Sequence, residues 1–430
     1  MSILKQEYLS PNPYERLTEV TSEFVKGDYV VDIHAHLFDI ECINKSYFLL
    51  RWLKDFLGLK SNAEELVDYS IDELYAKKSV YTPGWEKNLE RNIKSNNLSS
   101  LNKFNSKKGI IDLIRARKFL GFKRMIDVYD YYIKEFSPAN YFKLPKKQVL
   151  ITALMMDLEI GWNVKTNKTY HEQVLELKQL SKEKPILPFL FCDPRRADLK
   201  NETQNLYELF NLAFEEPGFF GVKIYPALGY DPSDCRLWPI YEVCEKFNIP
   251  VLTHCGGESV STDVLSLEIY EGEKENIVNV NKRTELAYEL NDPGRWALVL
   301  EKFPKLKLNF GHFGGYKTWS SSTPVSKEKD PQSRKETIFG FMKKYENVYA
   351  DFSYNLIEIE LTDNLKNYMY FDEIIRLRTM FGTDYWVVNK AGDLMKEQAN
   401  FLNIMDSGTK KLGLSKKLCI ENPKDYLFKV

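Results

Sequence analysis

The stretch YVVDIHAHLFD, residues 29–39, ends an apolar run with two of the chain's five histidines. Successive side chains of a strand point to opposite faces, so His34 and His36 face the same way, as does Asp32. Two imidazoles on one face at the end of a strand can both reach a single cation. An H-x-H pattern also occurs where histidines are only structural, so the pattern alone leaves both interpretations open.

Seven further apolar runs resemble this one, and helix-like segments such as 237–247 and 293–303 lie between most of them. Short runs of this kind are typical of parallel strands that are covered on both faces. Eight such strands with intervening helices predict an α/β fold, a (β/α)8 TIM barrel, whose active site lies at the C-terminal ends of the strands. The eight runs are 29–36, 148–157, 185–193, 219–226, 249–257, 306–315, 347–354 and 379–386.

Two connections are too long for simple crossovers within a single domain spanning residues 1–430. The large insertion after strand 1, at about 37–147, is predicted to be helical, with helices at YFLLRWLKDFLGL, IIDLIRARKFLGF and MIDVYDYYIKEF. It forms either a cap over the barrel mouth or an elaboration of the outer wall. A smaller insertion at about 259–291 has the same alternatives, a cap or a helical elaboration of the outer wall, and the polar stretch 320–336 is predicted to be a mobile loop.

Composition excludes several classes of protein. The net charge of −1, with both signs mixed along the chain, gives no basic surface for nucleic acid and no polybasic membrane patch. The longest apolar block, 149–156, is too short to span a bilayer. Six scattered cysteines without a C-x-x-C pair, and no apolar leader in residues 1–17, predict a cytoplasmic protein with reduced thiols.

Two more histidines and one aspartate come at the ends of predicted strands. His254 and His312 each precede glycine-bearing loops, and Asp384 ends the eighth run in the sequence FGTD. Imidazoles and a carboxylate at one barrel mouth form a nitrogen and oxygen donor set that suits a divalent metal. His171, in an amphipathic stretch, is predicted to lie on a helix surface. The sequence therefore predicts a metal site at the barrel mouth.

The order of these residues resembles the amidohydrolase superfamily, and most closely its branch of aminocarboxymuconate-semialdehyde decarboxylase-like enzymes. The resemblance implies that His34, His36, His254 and Asp384 hold a divalent metal, most simply one Zn²⁺. It also implies that His312 acts on the bound water or the substrate, and that Asp384 transfers a proton. The alternatives are an interior structural histidine for His312 and a helix N-cap for Asp384. Homodimers are an expectation at the level of the family.

Lys223 is expected on the interior face of the fourth strand, where two roles are open. Some amidohydrolases have a carboxylated lysine at this strand that bridges two metals, and a second Zn²⁺ would then be present. The alternative is an ammonium group that anchors a substrate carboxylate or pairs with an acid. The branch that the sequence resembles favours one metal.

The resemblance implies a metal-dependent hydrolase that cleaves a C–N or C–O bond, in an amide, lactone or ester, of a small polar and perhaps carboxylated molecule, which is bound without nucleic acid or membrane as a partner. The alternative is a non-oxidative decarboxylase with the same metal site, and the non-enzymatic alternative is a barrel that keeps a metal for stability. Arg195, after the third strand, is a candidate anion clamp, with an ion-paired loop as its alternative. Tyr225 is a candidate substrate contact or a plain aromatic wall. Asp351 is expected to hydrogen-bond behind the site.

Overall fold

The computed structural model describes residues 4–44, 121–135, 137–257, 260–264, 266–280, 282–320, 331–357, 359–385, 394–408 and 412–430. Within these residues, eight strands form one parallel sheet in the order β1-β2-β3-β4-β5-β8-β9-β10, and β6 and β7 form an antiparallel hairpin. All eight predicted runs are strands, so the predicted barrel is confirmed. The strands are β1 Val30–His36, β2 Val149–Leu154, β3 Ile186–Phe191, β4 Gly221–Ile224, β5 Val251–His254, β6 Ser266–Glu271, β7 Lys274–Asn279, β8 Leu308–Gly311, β9 Val348–Asp351 and β10 Thr379–Met380.

Helices follow most of the strands, as the sequence pattern predicts. Asp292 caps the helical turn that begins at Pro293 by accepting a hydrogen bond from the backbone N–H of Gly294. None of the described helices is long and apolar enough to cross a membrane. The α-helices are α1 Glu19–Phe24, α2 Met125–Glu135, α3 Leu158–Trp162, α4 Tyr170–Glu183, α5 Leu206–Phe214, α6 Trp238–Lys246, α7 Arg283–Leu290, α8 Ala297–Lys302, α9 Tyr316–Trp319, α10 Pro331–Lys344, α11 Ile359–Phe371, α12 Glu373–Arg378, α13 Leu394–Asp406, α14 Leu414–Lys416 and α15 Asn422–Phe428.

The barrel closes where β1 meets the segment that follows β10. The backbone N–H of Ile33 donates to the carbonyl of Phe381 at 3.2 Å, and the N–H of Asp384 donates to the carbonyl of His34 at 2.7 Å. A parallel bridge also joins Ala35 to Tyr385. We call this junction the seam. It places the last predicted site residue, Asp384, directly beside the first, His34.

The chain divides into two compact units. The larger unit comprises residues 1–38, 125–164 and 169–430, and the smaller comprises 39–124 and 165–168. In the smaller unit, Asp39 caps the turn Ile40–Cys42 and pairs with Lys168 at 2.6 Å.

Of the three helices predicted in the first insertion, the third is α2. The other two, at 47–59 and 110–122, lie almost wholly outside the described residues.

Two local predictions differ from the structure. The second insertion contains the β6–β7 hairpin, which the search for apolar runs missed because charged residues interrupt its strands; only Leu267 and Ile269 of β6 are fully buried. The predicted loop at 320–336 is wrong for 331–336, which begin α10. Helix formation there is stabilised by Arg334, which lies 3.7 Å from the ring centroid of Tyr288 and donates to the carbonyl of Asn291.

Candidate metal centre

Three predicted residues converge at the seam. His34 and His36 end β1 with rings that are almost fully buried, and Asp384 follows β10. Oδ1 of Asp384 lies 3.6 Å from Nε2 of His34 and 3.5 Å from Nε2 of His36. One donor atom from each of the three residues lies within 4.8 Å of the others, a spacing that could hold one metal ion.

The other ring nitrogen of each histidine faces a group that can only accept a hydrogen bond. Nδ1 of His34 lies 3.1 Å from Oδ2 of Asp351, and Nδ1 of His36 lies 3.3 Å from the carbonyl oxygen of Leu154. Each Nδ1 must therefore bear the proton, which leaves a lone pair on Nε2. Metal-ligating histidines are held in this way by carboxylates and backbone carbonyls. The hydrogen bond that the sequence predicted for Asp351 is present.

The electrostatics of the site favour neutral imidazoles beside a carboxylate. Burial lowers the pKa of both His34 and His36, so neither ring is protonated near neutral pH. Burial acts to raise the pKa of Asp384, yet this pKa stays below its ordinary value, so the group is a carboxylate near neutral pH. Two neutral imidazoles and one carboxylate are a donor set that fits a divalent metal such as zinc.

His254 and His312 lie next to each other beside this group. Nε2 of His312 is 3.0 Å from Nδ1 of His254, and the ring centroids of His312 and His34 are 4.6 Å apart. Nε2 of His254 is buried and has no hydrogen-bond partner among the described residues. Buried polar atoms without partners are rare in proteins, so this nitrogen is available to a ligand. In the described part of the chain there are two groups of three close donors, His34, His36 and Asp384 and also His34, His312 and Asp351, and neither includes a His254 nitrogen.

Lys223 is fully buried in β4, and its Nζ lies 3.4 Å from Nε2 of His34. Burial lowers the pKa of this amine to about 7, so a large fraction of it is neutral at physiological pH. Only a neutral amine can be carboxylated, and only an ammonium can anchor an anion. Both roles that the sequence left open are therefore compatible with this environment.

The buried amine makes the stability of the metal-free protein depend on pH. The pKa of Lys223 is about 7 in the folded chain against an ordinary value of 10.5, so between these values the unfolded chain binds more protons and stability rises with pH. From about pH 7.5 to about pH 8.5, we expect the free energy of unfolding to increase by about 1 kcal/mol more in the wild type than in Lys223→Met. Urea titrations with chelator present measure this difference; equal pH dependence in the two proteins would contradict it.

Asp32 connects the two sides of the seam, a role that the sequence analysis did not assign. Its buried carboxylate accepts hydrogen bonds from the backbone N–H of His34 at 3.2 Å and of Thr383 at 2.9 Å. The hydroxyl of Thr383 donates to it at 2.5 Å, and that of Tyr132 in α2 donates at 2.7 Å. Asp32 thus fixes the backbone of His34 relative to that of Thr383, which precedes Asp384 in the chain.

Two glycines allow the backbone to approach His34 closely. A Cβ atom at Gly382 would lie 2.6 Å from the Cβ of His34, and one at Gly311 would lie 2.7 Å from its Cε1. Side chains at these positions would force the imidazole or the backbone to move.

Replacing Gly382 with Ala is therefore expected to lower the free energy of unfolding by about 1–3 kcal/mol through overpacking. Gly340 is the matched control, because it lies on the exposed side of α10 with no atom within 4 Å of the added Cβ. Gly340→Ala should stabilise the helix by about 0.5–1 kcal/mol. Chemical denaturation measures the free energy of unfolding of both variants, which should change in opposite directions. An unchanged free energy of unfolding in Gly382→Ala would mean that the seam is loosely packed.

Other residues behind the site escaped the sequence analysis. Ser353 places its hydroxyl 2.9 Å from Nδ1 of His312, and Asn309 donates to Asp351 at 2.8 Å. The amide of Asn355 donates to the carbonyl of His312 at 2.7 Å. Ser353 follows Asp351 by two residues, a strand period that could have indicated a shared direction. Nothing in the sequence pattern singles out Asn309 or Asn355.

The two predicted substrate contacts have partners within the protein. Arg195 binds both oxygens of Asp193, at 2.8 and 2.6 Å, and donates to the carbonyl of Leu228. These described bonds do not reach the histidines, so they favour the ion-paired loop; contact with a substrate stays a prediction. Tyr225 stacks on His254 with centroids 4.0 Å apart, and its hydroxyl accepts from the N–H of Val260. It lies beside His254 as an aromatic wall would, and its contact with a substrate stays a prediction.

Several solved structures match most of this chain at low identity, with TM-scores below 0.5. An uncharacterized TIM-barrel protein from Bordetella bronchiseptica is 12% identical, with a TM-score of 0.46 over 93% of this chain and 98% of that one. A 5-carboxyvanillate decarboxylase from Novosphingobium aromaticivorans is 12% identical, with a TM-score of 0.44 over 97% and 99%. A 4-oxalomesaconate hydratase from Rhodopseudomonas palustris is 12% identical, with a TM-score of 0.42 over 93% and 95%. No curated protein matches the chain in sequence.

A family model provides the assignment. The amidohydrolase model matches residues 199–425, more than half of the chain. The matched region includes Lys223, His254, His312 and Asp384, while His34 and His36 precede it. With the parallel barrel and the convergent histidines at the seam, this match shows that the protein belongs to the amidohydrolase family of metal-dependent enzymes.

Proposed function

We propose that the protein is a hydrolase that binds one Zn²⁺ and cleaves a C–N or C–O bond in a small polar, carboxylated substrate. The observation that carries this proposal is the convergence of Nε2 of His34, Nε2 of His36 and Oδ1 of Asp384, with both Nδ1 atoms hydrogen-bonded behind them. His254 is the fourth ligand, because its buried Nε2 has no other partner in the described chain.

A zinc ion bound to these residues supplies Lewis acidity, which polarises the scissile group and lowers the pKa of a water molecule to about 7. Asp384 is the residue that moves the proton. Its carboxylate is ionised near neutral pH and lies beside the Nε2 atoms of His34 and His36, so it can accept the proton of the attacking water. The same carboxylate then returns the proton to the leaving nitrogen or oxygen.

Lys223 acts as an unmodified side chain in this proposal. At a pKa of about 7 its amine switches between a neutral donor and an ammonium near neutral pH. The ammonium form can bind a substrate carboxylate, which supports a carboxylated substrate. A substrate carboxylate in contact with Nζ would also favour this charged form.

Metal content and product chemistry test the proposal. We expect the purified protein to bind one Zn²⁺ per chain. His36→Ala should lose at least about 90% of this occupancy, because it removes a ligand whose ring is held in place by a hydrogen bond. His171→Ala is the control, since His171 lies on α4 and is not part of the site. A finding of two zinc ions per chain with a carboxylated Lys223 would overturn the proposal of a single metal.

The reaction class is decided separately, with a panel of amides, lactones, esters and aromatic carboxylates in ¹⁸O-labelled water. Incorporation of ¹⁸O into the product supports hydrolysis. Release of carbon dioxide without incorporation would make the enzyme a decarboxylase and overturn the hydrolase proposal.

A further inference from the structure

A chain of hydrogen bonds runs behind the site from Asp351 to His254. The hydroxyl of Ser353 donates to Oδ1 of Asp351 and lies 2.9 Å from Nδ1 of His312. Nε2 of His312 is 3.0 Å from Nδ1 of His254, where the chain ends. All four side chains are buried, so water does not compete for these contacts.

The acceptors in this chain fix the direction of its protons. Asp351 already accepts bonds from Asn309 and from two backbone N–H groups, as expected for an ionised carboxylate. If Ser353 did not donate to it, two oxygen atoms would face each other without a proton between them. The single hydroxyl proton therefore belongs to the bond with Asp351, and the Ser353 oxygen accepts from Nδ1–H of His312.

A second contact gives the same proton position. Nδ1 of His312 also faces the backbone carbonyl oxygen of Ser353 at 3.3 Å, and a carbonyl can only accept. With Nδ1 protonated in the neutral ring, Nε2 of His312 has a lone pair. It must then accept the Nδ1–H of His254, which leaves a lone pair on the unpartnered Nε2 of His254.

We infer that His312 is a positioning residue that fixes the tautomer and orientation of His254, so that the Nε2 lone pair of His254 is available to the metal. The binding step of this inference rests on the proposed function, while the tautomer does not. It departs from the expectation that His312 acts directly on water or substrate. Both ring nitrogens of His312 are already engaged, by Ser353 and by His254.

The backbone holds His312 rigidly enough for this role. Its φ of 64° lies in the left-handed region, which is unfavourable for a non-glycine residue. Hydrogen bonds on both sides maintain this conformation, from its N–H to Asp351 at 3.2 Å and from Asn355 to its carbonyl at 2.7 Å. The ring therefore has a defined position between His34 and His254, with centroids 4.6 and 4.5 Å away.

Two amide replacements separate the contacts of His312. The amide of Gln extends to the position of Nε2 and can accept from His254, while the amide of Asn reaches only the position of Nδ1 and can contact only Ser353. Both variants lose the imidazole, so a direct catalytic role would be lost in both. The two variants differ in the contact that they keep: Gln keeps the one with His254, and Asn keeps the one with Ser353.

The primary readout is long-range ¹H–¹⁵N NMR of the metal-free, histidine-labelled protein, in which only five histidines contribute signals. We expect His254 to be the Nδ1–H tautomer in the wild type and in His312→Gln, and a mixture of tautomers in His312→Asn. Zinc affinity, measured by competition with a chelating dye, should fall by about 10–100-fold in His312→Asn and by much less in His312→Gln.

An Nε2–H tautomer of His254 in the wild type overturns the inference without any variant, as does equal zinc affinity in His312→Asn and His312→Gln. If the wild type binds no zinc at all, the proposed function fails. The NMR result on the metal-free protein then still decides whether His312 sets the tautomer of His254.

Discussion

Replacing Asp384 with Asn is expected to lower turnover of an identified substrate by about 10²–10⁴-fold, the usual contribution of a positioned proton-transfer group. Asn has the same shape but cannot accept a proton, and its neutral amide is a weaker metal ligand than a carboxylate. The loss should appear in kcat, because the residue acts on the proton that moves during the reaction.

Asp372→Asn is the matched control. Asp372 caps α12 away from the histidines, and Asn caps a helix about as well as Asp. Steady-state kinetics and metal analysis of the two variants separate loss of chemistry from loss of metal. Turnover of Asp384→Asn within about threefold of the wild type at full metal occupancy would show that another group transfers the proton.

Replacing Arg196, which forms a buried ion pair, is expected to cause a large loss in the free energy of unfolding. Its guanidinium binds both oxygens of Asp157 and also Glu159 at 3.0 Å, with the side chains of Arg196 and Asp157 only 1% exposed. Arg196→Met leaves the Asp157 carboxylate buried without its partner. The expected loss is about 3–5 kcal/mol in the free energy of unfolding, measured by urea titration.

An exposed pair provides the comparison. Glu23 and Lys26 form an ion pair with side chains that are 74% and 68% exposed, so Glu23→Gln should change stability by less than about 0.5 kcal/mol. The double variant Arg196→Met, Asp157→Leu should recover part of the loss, because the fully buried carboxylate is removed and Glu159, whose side chain is 20% exposed, reaches solvent. A loss below about 1 kcal/mol in Arg196→Met would mean that water reaches Asp157.

The sequence predicted the parts of the site that depend on strand periodicity. His34 and His36 share a face because they are two residues apart, and His254, His312 and Asp384 each follow an apolar run whose end could be located. In a parallel barrel the ends of all strands meet at one mouth, so position in the chain translates into position in space. The apolar runs alone therefore sufficed to predict the barrel.

The remaining features depend on geometry that residue patterns do not encode. His312 and Asp384 both have positive φ values, of 64° and 49°, and neither position is itself the glycine or asparagine that most often indicates such a turn. The pairing of His312 with His254 follows from the direction of two rings, not from their spacing in the chain. Asp32 was expected only to face the same way as the histidines, and its bond to Thr383 required the closed seam.

The seam also determines when the site can form during folding. The groups that meet there come from the first strand and from the segment after the last, so their contacts have very large sequence separation and are expected late in folding. Interactions absent from the transition state slow unfolding and hardly change the folding rate. Anything bound across the seam should therefore prolong the lifetime of the folded enzyme without helping the chain to reach it.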